Sequence, residues 1–303
     1  MTTVGLIGLG AMGSGMAASL RRAGHSVQVF DVRREVAEAF THAGGTAHDT
    51  LASLGAACDV IVSVVVNAAQ TESVLFGDTT GSTPTPGCAA SMKPGSVFVM
   101  CSTVDPNWSV ALEARLEAMG LRYVDAPISG GAAKAASGQM TMMTAGKPEA
   151  YALAEPFLNA MAAKVYKLGD SAGAGSKVKI INQLLAGVHI AAAAEAMALG
   201  LREGVDAAAL YEVITHSAGN SWMFENRMAH VVAGDYTPLS AVDIFVKDLG
   251  LVLDTARASK FPLPLAATAH QMFMQASTAG FGREDDSAVI KIFPGITLPE
   301  RQA

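Results

Sequence analysis

The sequence predicts an α/β fold in two parts: an N-terminal doubly wound parallel sheet, then a long connecting helix leading into an all-helical C-terminal domain. Three observations predict it. Strand-like and helix-like segments alternate through the first half of the chain. The glycine pattern Gly8-Leu9-Gly10-Ala11-Met12-Gly13 lies between the first strand-like run and the first helical stretch. After about Gly169 the strand signals stop, and the pattern is helical to the end.

Taken in order, Thr3 to Ile7 is a short apolar run, and Met12 to Ala23 reads as a helix. Ser26 to Phe30 alternates and is β-rich, and Asp59 to Val66 has the unbroken apolar character of a strand buried on both faces. Ser96 to Met100, Leu121 to Val124 and Gln139 to Thr144 complete the predicted strands. Gly77 to Gly87 is a polar Gly/Pro/Thr loop, expected as a surface excursion. From Lys177 onward the helical pattern is punctuated by Gly204, Gly219, Gly234 and Pro238. The expected division is 1–168 for a dinucleotide-binding domain and 169–303 for a helical domain serving substrate binding and oligomerisation.

Composition narrows the function classes. The chain has 303 residues, half of them hydrophobic and 16% charged, enough for two packed cores and unlike a disordered chain. A net charge of −6 without long runs gives no nucleic-acid or anionic-membrane surface. The three cysteines form no CxxC pair, and the seven histidines never fall at metal-ligand spacing, so no metal is expected. With no basic leader ahead of the first strand, a cytoplasmic setting fits. The apolar run Leu184 to Leu201 is alanine-rich and contains His189 and Glu195. It is expected to be a helix buried on most sides within protein, with no membrane partner.

The glycine pattern carries chemistry. Gly8 permits a tight turn, Gly10 lets the backbone approach a pyrophosphate, and Gly13 allows close helix–strand packing, with Ala11 and Met12 completing the loop. The phosphates would meet the unpaired N–H groups of the helix start. Asp31 closes the second strand, where a carboxylate accepts from ribose hydroxyls and repels a 2′-phosphate. The expected cofactor is therefore NAD, although Arg33 and Arg34 nearby could accommodate that phosphate.

A second constellation opens the long helix. In Gly173-Ala174-Gly175-Ser176-Lys177-Val178-Lys179-Ile180-Ile181-Asn182-Gln183, the helical period puts Lys179, Asn182 and Gln183 on one face. An amine held among neutral amides near an apolar wall or a cation can act as a base near neutral pH.

With these residues in view, the chain resembles the β-hydroxyacid dehydrogenase family over nearly its whole length. Four motifs carry the resemblance: GLGAMGSGMA from Gly8; DAPISGG from Asp125, followed by AAKAASGQMTMMT; Gly173-x-Gly175-x-x-x-Lys179-x-x-Asn182; and Lys247-Asp248-Leu249. The resemblance implies a Rossmann domain binding NAD, Lys179 as the catalytic lysine, and Asn182 and Asp248 beside it in the catalytic set. It implies that Ser129, Gly130 and Gly131 receive the substrate carboxylate, and that Val65, Thr103 and Lys247 contact the cofactor. The substrate would lie in the cleft between the domains.

Three departures from the family pattern stand out, two bearing on the substrate and the third on cofactor contact. Gln183 stands where the family usually has a second asparagine, and Ser240 where many members have phenylalanine ahead of Lys-Asp-Leu. The turn Val64-Val65-Val66-Asn67 replaces a common Leu-Pro. A hydroxyl at Ser240 and a longer amide at Gln183 favour a substrate rich in hydroxyl groups. The runs Val65 to Gly77, Asn182 to Gly200 and Gly219 to Arg227 look closest to the branch that oxidises L-threonate, a four-carbon sugar acid. His189 is expected to face the interior as a core histidine, and Asn220 and Trp222 to line the pocket or an interface. Substrate alternatives are 3-hydroxyisobutyrate and tartronate semialdehyde. An imine reductase usually lacks the lysine, and a non-catalytic dinucleotide-binding protein would have lost it. The expected partners are a small hydroxy acid and further copies of the chain, as a homodimer or homotetramer.

Overall fold

The central strands of the first half carry two apolar faces, and the fold uses both. A computed structural model describes residues 2–78 and 85–301, so residues 79–84 of the polar excursion lie outside the described residues. The chain forms two compact units, residues 1–179 and 180–303.

The first unit runs β1 (Val4–Ile7), α1 (Gly13–Arg22), β2 (Val27–Phe30), α2 (Arg34–His42), β3 (Thr46–Ala47), α3 (Leu51–Ala57), β4 (Val60–Ser63), α4 (Ala68–Phe76) and β5 (Val97–Met100). It continues through α5 (Pro106–Ala118), β6 (Arg122–Asp125), β7 (Ile128–Ser129), α6 (Gly131–Ser137), β8 (Met140–Gly146), α7 (Pro148–Met161) and β9 (Ala162–Lys167). The sheet order is β3-β2-β1-β4-β5-β6-β8-β7, with β9 also paired to β8. From β3 to β6 the pairing is parallel, whereas β8 runs antiparallel to β6 and β7. The order reverses at β1 and β4, which is where a doubly wound sheet opens a crevice for a dinucleotide.

Alternation explains the double burial. Val60, Val62, Val97 and Val99 pack into one hydrophobic cluster, while Ile61, Phe98, Met100 and Tyr123 pack into another. Buried on both faces, these strands read as apolar runs without a polar side.

Two expectations need correction. The apolar run from Asp59 leaves the sheet at Ser63 and does not continue as strand to Val66. Val64 still donates its N–H to the Ile7 carbonyl at 2.8 Å, but Asn67 then caps α4 through the Gln70 N–H, and the chain must turn. β9 was not expected, because its pattern is mostly exposed and it lacks an apolar face for sequence to show.

The second unit begins within α8 (Ala174–Arg202) and adds α9 (Ala207–Thr215), α10 (Trp222–Ala233), α11 (Val242–Ser259) and α12 (Pro264–Ala276). Its core gathers Ile190, Ala194, Met197, Met228, Val231, Leu249, Phe273 and Val289. By length and composition alone α8 could cross a membrane, and 44% of its most apolar window is buried. It is not buried on most sides: Val178, Ile181, Leu185 and Leu199 form an exposed apolar stripe at helical spacing. His189 lies on that exposed face and not in the interior, since Ala186 and Ile190 occupy the buried one.

Candidate active site

The loop from β1 to α1 is shaped by what its glycines exclude. Gly8 has φ +92°, and a side chain there would meet the Val64 carbonyl oxygen at 2.8 Å. A Cβ on Gly13 would fall 1.8 Å from the Gly8 oxygen, whereas one on Gly10 would meet nothing within 4 Å. Gly10 thus faces open space at the helix start, where the Met12 cap position makes no side-chain hydrogen bond to α1. That is a cradle with donors and room for a pyrophosphate.

Asp31 is built into this loop. Its carboxylate accepts from the Leu9 N–H at 2.6 Å and from the Arg33 N–H at 2.8 Å, and the Arg33 guanidinium pairs with it at 3.2 Å. Burial raises its pKa, but the Arg33 side chain, the two backbone donors and the Arg33 charge outweigh this and hold it below the usual carboxylate value. Arg34 is committed elsewhere, to Glu38 at 2.9 Å and Asp49 at 3.4 Å. Ala11 and Met12 stand in the turn between the glycines.

The ends of β4 and β5 are tied together. Ser102 is buried and donates to the Val65 carbonyl at 2.8 Å, with Thr71 Oγ1 at 3.1 Å from the same hydroxyl. Val65 and Thr103 flank this tie, both half-buried. Sequence reasoning did not single out Ser102.

Nor did it find the part that Asp125 plays at the start of α8. This carboxylate is fully buried and accepts from the N–H groups of Gly173 and Ser176, each at 2.9 Å, and from the Ser176 hydroxyl at 2.7 Å. Burial pushes its pKa up, and these donors oppose the shift. A Cβ on Gly175 would stand 2.3 Å from the Met143 carbonyl, so the glycine lets the helix start press against β8. The DAPISGG and GxGxxxK motifs therefore lock together through Asp125. Lys179 follows one turn later, only 7% exposed. Further along the DAPISGG loop, Ser129 is half-buried, and Gly130 and Gly131 have φ +139° and +76°. A Cβ on Gly131 would meet no atom within 4 Å, so that turn is open to a ligand.

In the second unit the amides and the Lys-Asp pair form one network. Gln183 Nε2 donates to Asp248 Oδ2 at 2.5 Å, Asn182 Nδ2 donates to Gln183 Oε1 at 3.1 Å, and the Lys247 ammonium pairs with Asp248 Oδ1. Asp248 is 1% exposed and Gln183 8%. Ser240 is placed differently from this group: its hydroxyl hydrogen-bonds the buried Asp286, which Arg227 also holds. Its proton is thus engaged, and toward a substrate it could act only as an acceptor. Asn220 donates to the Thr215 carbonyl at 3.1 Å, and Trp222 is 53% exposed at the start of α10.

Comparison with known proteins decides the family. Residues 3–169 match the family described as the NAD binding domain of 6-phosphogluconate dehydrogenase. Residues 173–293 match the NAD-binding family of NADP-dependent 3-hydroxyisobutyrate dehydrogenase. An L-threonate dehydrogenase of Cupriavidus necator is 67% identical over 296 residues, covering 98% of this chain and 97% of that protein. The chain belongs to the β-hydroxyacid dehydrogenase family.

Among other members, an L-threonate dehydrogenase of Escherichia coli K12 is 53% identical over 98% of this chain and 96% of its own length. A crystal structure described as 3-hydroxyisobutyrate dehydrogenase from Salmonella typhimurium shares 53% identity, with a TM-score of 0.91 over 97% of this chain and all of that one. As a β-hydroxyacid dehydrogenase, the chain is an oxidoreductase that uses a nicotinamide dinucleotide on a small hydroxy acid. The open face of Gly10, the uncapped start of α1 and the anchored Asp31 fit that cofactor.

Proposed function

We propose that this dehydrogenase oxidises L-threonate at C2 to 2-oxo-tetronate, using NAD. The observation that carries the substrate is the 67% identity, along 98% of the chain, to the L-threonate dehydrogenase of Cupriavidus necator. Bound NAD would supply a hydride acceptor. The Ser129 hydroxyl and the turn at Gly130 and Gly131, open at Gly131, would receive the substrate carboxylate. Lys179 would take the hydroxyl proton in oxidation and return it in reduction, with Asn182 and Asp248 in the same catalytic set. Gly8, Gly10, Ala11, Met12 and Gly13 would cradle the pyrophosphate, Asp31 would bind the adenosine ribose, and Val65, Thr103 and Lys247 would contact the rest of the cofactor. Ser240 completes the expected substrate set, and Gln183, expected there too, adjoins Asn182.

NAD is favoured over NADP because Asp31 is held charged where a 2′-phosphate would approach. We assign residues 1–168 to cofactor binding and 169–303 to substrate binding and assembly. The exposed Val178, Ile181, Leu185 and Leu199 stripe supports a homodimer or homotetramer, since a second copy would cover it; the free cysteines suit a cytoplasmic setting.

The second reading is 3-hydroxyisobutyrate, favoured by the description of the Salmonella structure. NAD reduction measured across C3 to C5 hydroxy acids separates the two. L-threonate should give the highest kcat/KM, by roughly tenfold or more over 3-hydroxyisobutyrate, because a site that bonds hydroxyls is left with unpaired groups by an analogue that lacks them. Equal or better use of 3-hydroxyisobutyrate overturns the sugar-acid reading.

A further inference from the structure

Gln183 is the place where this chain departs from the family's pair of asparagines, and its surroundings say what the departure does. An ionised carboxylate only accepts hydrogen bonds, so the Gln183 atom 2.5 Å from Asp248 Oδ2 has to be the amide nitrogen. The ammonium of Lys247 donates to the other oxygen of Asp248. With its nitrogen committed, Gln183 turns its oxygen to Asn182, which must then present its own nitrogen at 3.1 Å. Side-chain amides are usually ambiguous between two flips, but here each polarity follows from the one before it. The chain of donation leaves the carbonyl oxygen of Asn182 directed away from Gln183, as an acceptor for a hydroxyl or an ammonium.

We propose that Gln183 is a positioning residue, which transmits the fixed polarity of the Lys247–Asp248 pair to Asn182 and does not itself bind the substrate. This rests on the proposed function only for the role of Asn182 near the reacting groups. The extra methylene of Gln183 supplies the reach. An asparagine on the same turn of α8 would stop short of Asp248, and both amides would be free to flip. Lys247 and Asp248 face the amide from α11, and Asn182 and, one turn earlier on the same face, Lys179 neighbour it on α8.

The test is Gln183→Met, close in length with both the donor and the acceptor removed. The kcat should fall roughly ten- to a hundredfold, with the KM for the hydroxy acid within about threefold of the unmodified enzyme. A thermal-unfolding cycle of Gln183→Met and Asp248→Asn should be clearly non-additive whatever the substrate. A raised KM with kcat kept, or additive melting shifts, each overturn the proposal. If the unmodified enzyme oxidises no hydroxy acid, the functional reading fails by itself, and the unfolding cycle still decides whether the network exists.

Discussion

The two units hold their polar groups in different ways. In the first, the groups proposed to face the cofactor are mostly backbone: the turn at Gly8, the open face of Gly10, the start of α1, and a carboxylate held by two N–H groups. In the second, the comparable group is made of side chains, running from Asn182 through Gln183 and Asp248 to Lys247. A backbone site demands little of its residues except that some be glycine, and it stays within one short stretch. A side-chain network demands particular donors and acceptors, brought together from positions 65 residues apart. The first kind shows in a sequence as a motif; the second shows only as isolated polar residues.

Lys179 gives the largest expected effect and breaks the comparison if it fails. On the proposed mechanism its amine carries the proton transfer, so Lys179→Ala should lower kcat by roughly two to four orders of magnitude. Dinucleotide affinity, a property of the backbone-built loop, should change little. A variant keeping more than about a tenth of the turnover would show that Lys179 is not the base.

Two glycines of the same loop sharpen the contrast. Gly13→Ala places a methyl 1.8 Å from a carbonyl oxygen, which only backbone movement can relieve. It should cost about 3 kcal/mol of stability or more, measured by chemical unfolding. Gly10→Ala has nothing within 4 Å and should leave stability within about 0.5 kcal/mol. Its methyl would occupy the space of the pyrophosphate, so NAD binding by titration should weaken roughly tenfold. Matching stability losses at the two positions would refute the assignment of separate roles.

What could be read in advance follows the same division. The alternation of strand and helix and the glycine loop were legible because local geometry dictates them. Asp125 was visible as part of a motif, but its partners Gly173 and Ser176 lie 48 and 51 residues away, and no local pattern announces them. Ser240 was visible as a departure from the family pattern, but the bond of its hydroxyl to the buried Asp286 shows only when the chain is folded. His189 was assigned to the wrong side of α8 because apolar residues occupy both faces of that helix, and periodicity then loses its power to name the inner one.

Asp31 offers a smaller effect, in cofactor choice. With Arg33 held to Asp31 and Arg34 paired with Glu38 and Asp49, neither arginine is presented alone to a 2′-phosphate. The unmodified enzyme should prefer NAD, and Asp31→Ser should reduce that preference by roughly tenfold in kcat/KM, releasing Arg33 toward the phosphate. Equal efficiency with NADP before any substitution would show that Arg33 governs despite the pairing.

The smallest effect is a slope. Asp31 and Asp286 each pair with an arginine, but their pKa values move in opposite directions. Asp31 stands beside a half-exposed Arg33 and receives backbone donors, which lower it. Asp286 is fully buried, and that burial pushes it up to about 7 even though Arg227 and the Ser240 hydroxyl pull it down. The folded protein therefore keeps a proton on Asp286 that the unfolded chain releases near 3.8. This group's contribution to stability should decline as pH rises from about 4 to about 7, then level off. Unfolding free energies of the unmodified protein and of Asp286→Asn, measured at several pH values, isolate the term. The gap by which the unmodified protein exceeds Asp286→Asn in stability should fall as pH rises, by at most about 1.4 kcal/mol per unit. A gap that widens over that range would mean that Arg227 outweighs burial, as Arg33 does at Asp31, and the contrast between the two pairs would be lost.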